Sequence, residues 1–215
     1  MGSARLPGKV LRPINGVPLL ECITRRLSSL RHRARVVVAT STRPKDEELA
    51  EFCRQRGIAC YRGSEEDVLE RFFRCAQDHG FTQIVRLTAD NPFTDVEELD
   101  RLIELQLATG SDLSHSYASL PVGVGAEVFT FEALQAAFRE ATAAHHREHV
   151  DEFLLERPER FRTSVLEVAA AKRRPDIRLT VDSEEDYRRA CFVAERAGTP
   201  DVATEDAVRL CSQFA

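Results

Sequence analysis

The chain has no tryptophan, one methionine and three tyrosines among its 215 residues, so its core must be built from aliphatic side chains and twelve phenylalanines. No apolar run approaches the ~20 residues that span a bilayer, and the first residues lack the apolar stretch of a secretory leader. The expectation is a soluble, cytoplasmic protein without membrane insertion. Nor is there a basic excess: 30 Lys and Arg stand against 35 Asp and Glu, a net charge of −5, which argues against nucleic acid as a partner. G-x-S-x-G, G-x-x-x-x-G-K-[ST] and paired Cys/His nucleophile signatures are missing, which removes several hydrolase and NTPase readings. The cysteines Cys22, Cys53, Cys60, Cys75, Cys191 and Cys211 show no C-x-x-C spacing and read as reduced thiols filling the core.

What is present begins at once. "MGSARLPGKVL" packs Gly2, Arg5, Pro7, Gly8 and Lys9 into nine residues. Glycines let a backbone approach a ligand closely, and the two cations suit phosphate oxygens. A frayed, solvated terminus is the competing explanation.

Beyond the loop, "PLLECITRRLSSL" has helical spacing. The unbroken run Val36–Ala39 predicts a strand covered on both faces, in the middle of a parallel sheet. "PKDEELAEFCRQRG" predicts a helix, "IACYRG" a strand, and "SEEDVLERFFRCAQDHG" a helix with Ser64 and Asp67 as an approximate capping box. "QIVRLTADNPF" adds a buried strand at Ile84–Leu87 that runs into a polar loop. Further helices are expected at "DVEELDRLIELQLATG", in "HREHVDEFLLERPERF" and at "EEDYRRACFVAERAG", and strands at "DLSHS", "RTSVLEVA" and "DIRLTVDS". "AEVFTFEALQAAFREA" reads as a strand that becomes a helix.

This alternation predicts one α/β domain over 1–215, a Rossmann-like doubly wound and mostly parallel sheet with ligands at its carboxyl edge. The segment 112–161 reads as a small insertion through which a homodimer would form.

Asp90 and Asp182 each follow a predicted buried strand. Two strand-end carboxylates suit Mg²⁺, a hard cation that prefers oxygen ligands shared with substrate phosphates. Alternatively each caps the element after it, and "DSEED" is a good helix start. His145 and His149 in "HHREH" have i, i+4 spacing, but without a third ligand they do not make a zinc site. Gly123 and Gly125 in "LPVGVGAEVF" allow a tight turn or a close backbone approach to a ligand.

In order along the chain, "GSARLPGKVL", "VVVATS", "YRGSEEDVLERF", "VRLTADNPF", "EVFTFEAL", "REHV" and "LTVDSEEDY" resemble the cytidylyltransferase family of spore-coat polysaccharide biosynthesis. That family is related to the enzymes that activate acylneuraminate and 3-deoxy-octulosonate sugars as CMP derivatives. The resemblance implies a fold of the nucleotide-diphospho-sugar transferase type. It also implies CMP transfer from CTP to an acidic sugar with loss of pyrophosphate. Arg5 and Lys9 would be catalytic, holding the triphosphate, with Gly2, Ser3, Gly63, Ser64, Asp67 and Asp90 also binding nucleotide. Asp90 and Asp182 would hold Mg²⁺, and Glu127, Arg147 and His149 would face the sugar.

Three departures stand out. Ala4 replaces a hydroxyl residue, and the loop Thr88-Ala89-Asp90-Asn91-Pro92 replaces Thr-Gly-Asp-Cys-Pro. The family also has an apolar strand ahead of the loop, where this chain starts at Met1. The expectation is therefore a translation start upstream of Met1, or else a shortened chain without activity. A binding or scaffold protein derived from such an enzyme, or a transferase for another nucleoside triphosphate or a sugar 1-phosphate, are the alternative functions.

Overall fold

Residues 1–3 and 5–214 are described by a computed structural model; Ala4, one of the departures above, and Ala215 lie outside the described residues. The opening loop closes in a 3-10 turn at Lys9–Leu11. A small antiparallel ribbon follows, β1 (Pro13–Ile14) and β2 (Val17–Pro18). Its tip, Asn15 and Gly16, has φ of 48° and 78°, the left-handed pair that a tight two-residue hairpin requires.

The elements then alternate: α1 (Leu19–Leu27), β3 (Val37–Ser41), α2 (Glu47–Gln55), β4 (Ala59–Gly63), α3 (Val68–His79), β5 (Gln83–Arg86) and α4 (Val96–Thr109). The second half contains β6 (Leu113–His115), β7 (Glu127–Thr130), α5 (Phe131–Glu140), α6 (Ala144–Glu148), α7 (Glu152–Leu155), β8 (Thr163–Val165), α8 (Glu184–Ala197) and α9 (Thr204–Cys211). Side chains start the main helices by accepting backbone N–H groups that the helix cannot pair itself: Asp67 from Glu70, Asp95 from Glu98, Thr130 from Ala133. Ser183 and Asp186 form a full capping box on α8.

The fold is α/β and doubly wound, with two departures from the sequence-based expectation. β3 and β4 run parallel in register Val37↔Ala59 to Ser41↔Gly63, and a separate four-stranded sheet has the order β5-β7-β6-β8. In it, β7 is antiparallel to both β5 and β6, while β6 and β8 are parallel, so this sheet is mixed rather than mostly parallel. Among the described residues β3, expected in mid-sheet, pairs only with β4, and Val37, Val38 and Ala39 are half-buried rather than covered on both faces.

Other predicted elements move. "DIRLTVDS" forms no strand; its one ladder contact is a bridge from Arg178 to Val122. Within the segment 112–161, β6 and β7 are ladder partners in the four-stranded sheet. The helix expected near His149 is two short helices, α6 and α7.

Successive residues of a strand face opposite sides. Val128 accordingly joins an aliphatic cluster with Ile23, Leu99, Leu102 and Val193, packed under α1, α4 and α8. Phe129 joins Leu69, Phe73, Leu134 and Phe153 on the other face, under α3, α5 and α7. All six cysteines are free, and burial pushes the Cys53 thiol up to about 12, in keeping with an inert core filler.

Candidate active site at the carboxyl edge of the sheet

β5 ends at Arg86, and the loop after it carries Asp90. Asp95, not Asp90, caps the next helix, and Ser183, not Asp182, caps α8. Both candidate carboxylates are thereby released from the capping role that competed for them. The Asp90 carbonyl accepts the Val181 N–H at 2.9 Å, which ties the two loops side by side.

The Lys9 ammonium closes the group. It donates to Asp90 Oδ2 at 2.7 Å, to Asp182 Oδ1 at 2.9 Å and to the Val181 carbonyl at 2.8 Å. Arg5 lies 3.6 Å from Asp182 and is mostly exposed, and Arg178 pairs with the other Asp182 oxygen. Burial pushes the Asp182 carboxyl up, but the hydrogen bond and charge of Lys9, with Arg178, outweigh it and hold it below the usual carboxylate range.

Glycine at position 123 makes this arrangement possible. Its φ is 90°, and a Cβ there would stand 2.6 Å from the Thr180 backbone nitrogen. Val122 can then bond to Ile177, Leu179 and Thr180, which holds the segment leading to Asp182 without a ladder. The predicted close approach occurs, but toward protein backbone.

The remaining predicted residues lie along the same edge. Ser3 accepts the Leu6 N–H through its hydroxyl, and a side chain on Gly2 would run into Lys45, which pairs with Glu65. Gly63 ends β4 opposite Ser41; the Ser64 hydroxyl accepts the Asp67 N–H, so the cap of α3 is Asp67 and not Ser64. Asp67 also lies 3.4 Å from Arg147 of α6. His149 is exposed, its backbone N–H donating to the His145 carbonyl at 2.7 Å, while the His145 and His146 rings both reach Glu156, at 3.1 and 2.7 Å.

Glu127 lies opposite Arg86 across the β5–β7 ladder and accepts its guanidinium at 2.6 Å. Beside it stand residues that the sequence did not single out: His115, in register with Glu127, and Tyr117, whose ring stacks on His115 at 4.3 Å and whose hydroxyl donates to Asp151. Three buried polar atoms here, Glu127 Oε2, Arg86 Nε and His115 Nδ1, have no hydrogen-bond partner among the described residues. Buried polar atoms are rarely left so unless a ligand or water meets them.

Burial, opposed by Arg86, pushes the Glu127 carboxyl up to about 7. A carboxyl whose folded pKa lies above its unfolded value binds its proton more tightly in the folded chain, so stability falls as pH rises between the two values. The total is roughly 3 kcal/mol. Glu127→Gln should therefore gain in thermal stability over the parent as pH is raised from 5 to 8. An equal difference at both pH values in a melting series would contradict the assignment.

Comparison with known proteins places the chain in a family. A family model described as cytidylyltransferase covers residues 1–210. The spore coat polysaccharide biosynthesis protein SpsF of Bacillus subtilis is 36% identical over 219 aligned residues, covering 99% of this chain and 91% of that protein. A cytidylyltransferase structure from Leptospira borgpetersenii superposes with TM-score 0.91 at 26% identity, over 99% of this chain and 90% of that one. A CMP:2-keto-3-deoxy-manno-octonic acid synthetase structure complexed with CTP shares the fold, with TM-score 0.70 at 16% identity, over 91% of this chain and 95% of that one. Among the described residues no helix is long and apolar enough to cross a membrane. The chain belongs to the cytidylyltransferase family and is a nucleotidyltransferase.

Proposed function

We propose that the chain transfers CMP from CTP to a hydroxyl of an acidic sugar, releasing pyrophosphate, as a single cytoplasmic domain. The observation that carries this reading is the Lys9 ammonium seated between Asp90 and Asp182. A cation and two converging carboxylates at the carboxyl edge of an α/β sheet suit a triphosphate and its counter-ion. The SpsF relative, by its name a polysaccharide biosynthesis protein, and the neighbour complexed with CTP point the same way.

Asp90 and Asp182 offer oxygen ligands that already converge on one ammonium, so the pair fits Mg²⁺. Bound there, the ion would neutralise phosphate charge. Lys9 and Arg5 hold the triphosphate and offset the charge that grows on the leaving pyrophosphate, since such transfers depend on positioning and electrostatics. Gly2, Ser3, Gly63, Ser64 and Asp67 shape the nucleotide side of the cleft. Glu127, with Arg147 and His149, faces the sugar, and the unpartnered atoms of Arg86, Glu127 and His115 offer it hydrogen bonds. Residues 112–161 are the proposed homodimer surface.

The test is pyrophosphate release with each of the four ribonucleoside triphosphates, with and without Mg²⁺, against a panel of sugar acids and sugar 1-phosphates. Release that requires CTP, a sugar acid and the metal is expected. Preference for another triphosphate or for a sugar 1-phosphate would overturn the substrate assignment. Folded protein that binds partners but never turns over would favour a scaffold role.

A further inference from the structure

His145 and His146 are consecutive residues of α6, and consecutive side chains of a helix point about 100° apart. Here they converge. Their ring centroids lie 4.0 Å apart with the planes tilted by 55°, and both rings turn Nε2 to one carboxylate, Glu156 at the end of α7. The His145 Nε2 is 3.1 Å from Glu156 Oε1 and the His146 Nε2 is 2.7 Å from Oε2, and one ligand atom from each of the three side chains lies within 4.8 Å of the others. Glu152, one turn before Glu156 on the same helix face, brings its Oε2 to 4.0 Å from the His145 Nε2.

Ion pairing alone is a poor account of this group. Protonating both imidazoles to pair with Glu156 sets two positive rings 4.0 Å from each other. Arg157 comes within 3.6 Å of Glu156, but its guanidinium lies 3.9 Å over the Phe153 ring and donates to the Phe153 carbonyl. One divalent cation among the four side chains would meet both imidazoles and both carboxylates together.

The donors and their spacing identify the cation. Zinc with four ligands at about 2.0–2.1 Å sets neighbouring ligand atoms about 3.3 Å apart. The contacts of 2.7, 3.1 and 4.0 Å bracket that distance, so small side-chain rotations suffice. Two imidazole nitrogens with carboxylate oxygens suit Zn²⁺ better than Mg²⁺, which prefers oxygen alone. One ligand is fixed in advance, because His146 is buried with its ring edge-on to Phe153 at 5.4 Å. The other three are partly exposed, which leaves the metal a way in.

We propose that His145, His146, Glu152 and Glu156 form a zinc site that clips α6 to α7. The spacing of His145 and His149 pointed to no such site, since the second imidazole comes from the adjacent residue and the carboxylates come from the next helix. This site stands apart from the nucleotidyl-transfer reading, whose proposed Mg²⁺ ligands are Asp90 and Asp182.

The test uses the full chain, stripped of metal and then titrated with zinc chloride in competition with a chromophoric chelator. One tightly held Zn²⁺ per chain is expected, and the melting temperature should rise by about 5–10 °C at free zinc near 100 Kd. His145→Gln and Glu156→Gln change half-exposed side chains, so both should melt near the parent without zinc. Each should bind zinc about tenfold more weakly or worse and lose most of the thermal shift. His149→Gln should bind as the parent does. Cobalt(II) in place of zinc should show the visible bands of a nitrogen and oxygen site without thiolate charge transfer. A parent chain that binds no zinc at micromolar concentration would overturn the proposal. So would binding that both variants retain, or a cobalt thiolate band, either of which would assign the metal to Asp90 and Asp182 or to the free cysteines.

Discussion

Asp90→Asn is expected to lower pyrophosphate release by about 100- to 1000-fold, the range seen when one preorganised electrostatic group is removed from a transfer site. The fold should survive. Asparagine keeps the shape of the side chain, and Lys9 retains Asp182 and the Val181 carbonyl. The lost ion pair is partly open to solvent, so its removal should cost about 1 kcal/mol, or 2–4 °C of melting temperature. What disappears is one of two carboxylates that share a cation, and with it half of the proposed metal-binding charge. Steady-state release assays paired with a melting curve decide the matter. Full activity in the variant would remove Asp90 from the site, whereas a collapse in stability would assign it a structural role instead.

The largest stability effect is expected away from the site, at Lys172. This lysine is buried, and its ammonium lies 3.0 Å from Asp95, 2.8 Å from Glu97 and 3.1 Å from Glu98. Asp95 and Glu98 are themselves buried at the start of α4. Burial pulls the Lys172 ammonium down, but its three carboxylate partners outweigh that and hold it above the ordinary lysine range. A lysine raised in this way contributes stability that is complete below the unfolded value, so the contribution is constant through neutral pH and lost only in strong alkali. Lys172→Met leaves two buried carboxylates without their shared ammonium; among the described residues Glu98 keeps only Arg101, and Asp95 only donors from its cap and the Thr204 hydroxyl. Breaking such a group costs about 3–5 kcal/mol, or 6–20 °C for a chain of this size. Adding Glu98→Gln to Lys172→Met should restore part of the loss. A Lys172→Met chain that melts within 1 °C of the parent would show that Asp95 and Glu98 find other partners.

The parts of the site that were legible in the sequence share a local signal. Asp90 follows the apolar run Ile84–Leu87, and Arg5 and Lys9 stand in a loop of glycine and proline. Their chemistry could be read from their immediate neighbours. Arg86, His115 and Tyr117 could not be read in this way. Arg86 meets Glu127 because β7 turns antiparallel to β5, a pairing of residues 41 apart that no local pattern encodes. The capping roles of Asp67, Asp95 and Ser183 were matters of choice among several Ser and Asp residues, and only backbone geometry settles which one accepts the N–H.

The strand errors have a similar origin. Residues 177–182 alternate like a strand, yet their backbone groups are taken by Val122 and Asp90, loop residues rather than a strand. The run Val36–Ala39 is apolar enough for mid-sheet, and its composition agrees with a cavity that it lines better than with its position at a sheet edge.

The contacts of Lys9 also bear on when the site can form. Its partner Asp182 is 173 residues away, and Arg12–Glu184 and Tyr187–Pro13 close the same long circuit. Such distant closures fold slowly, because chain entropy must be spent before any contact repays it. At ~5–20 residues per second on the ribosome, about 10–35 s separate synthesis of the opening loop from synthesis of its partners. Asp90 is made earlier, but through that interval Arg5 and Lys9 lack Asp182, and the cation loop is complete only after nearly the whole chain has been made.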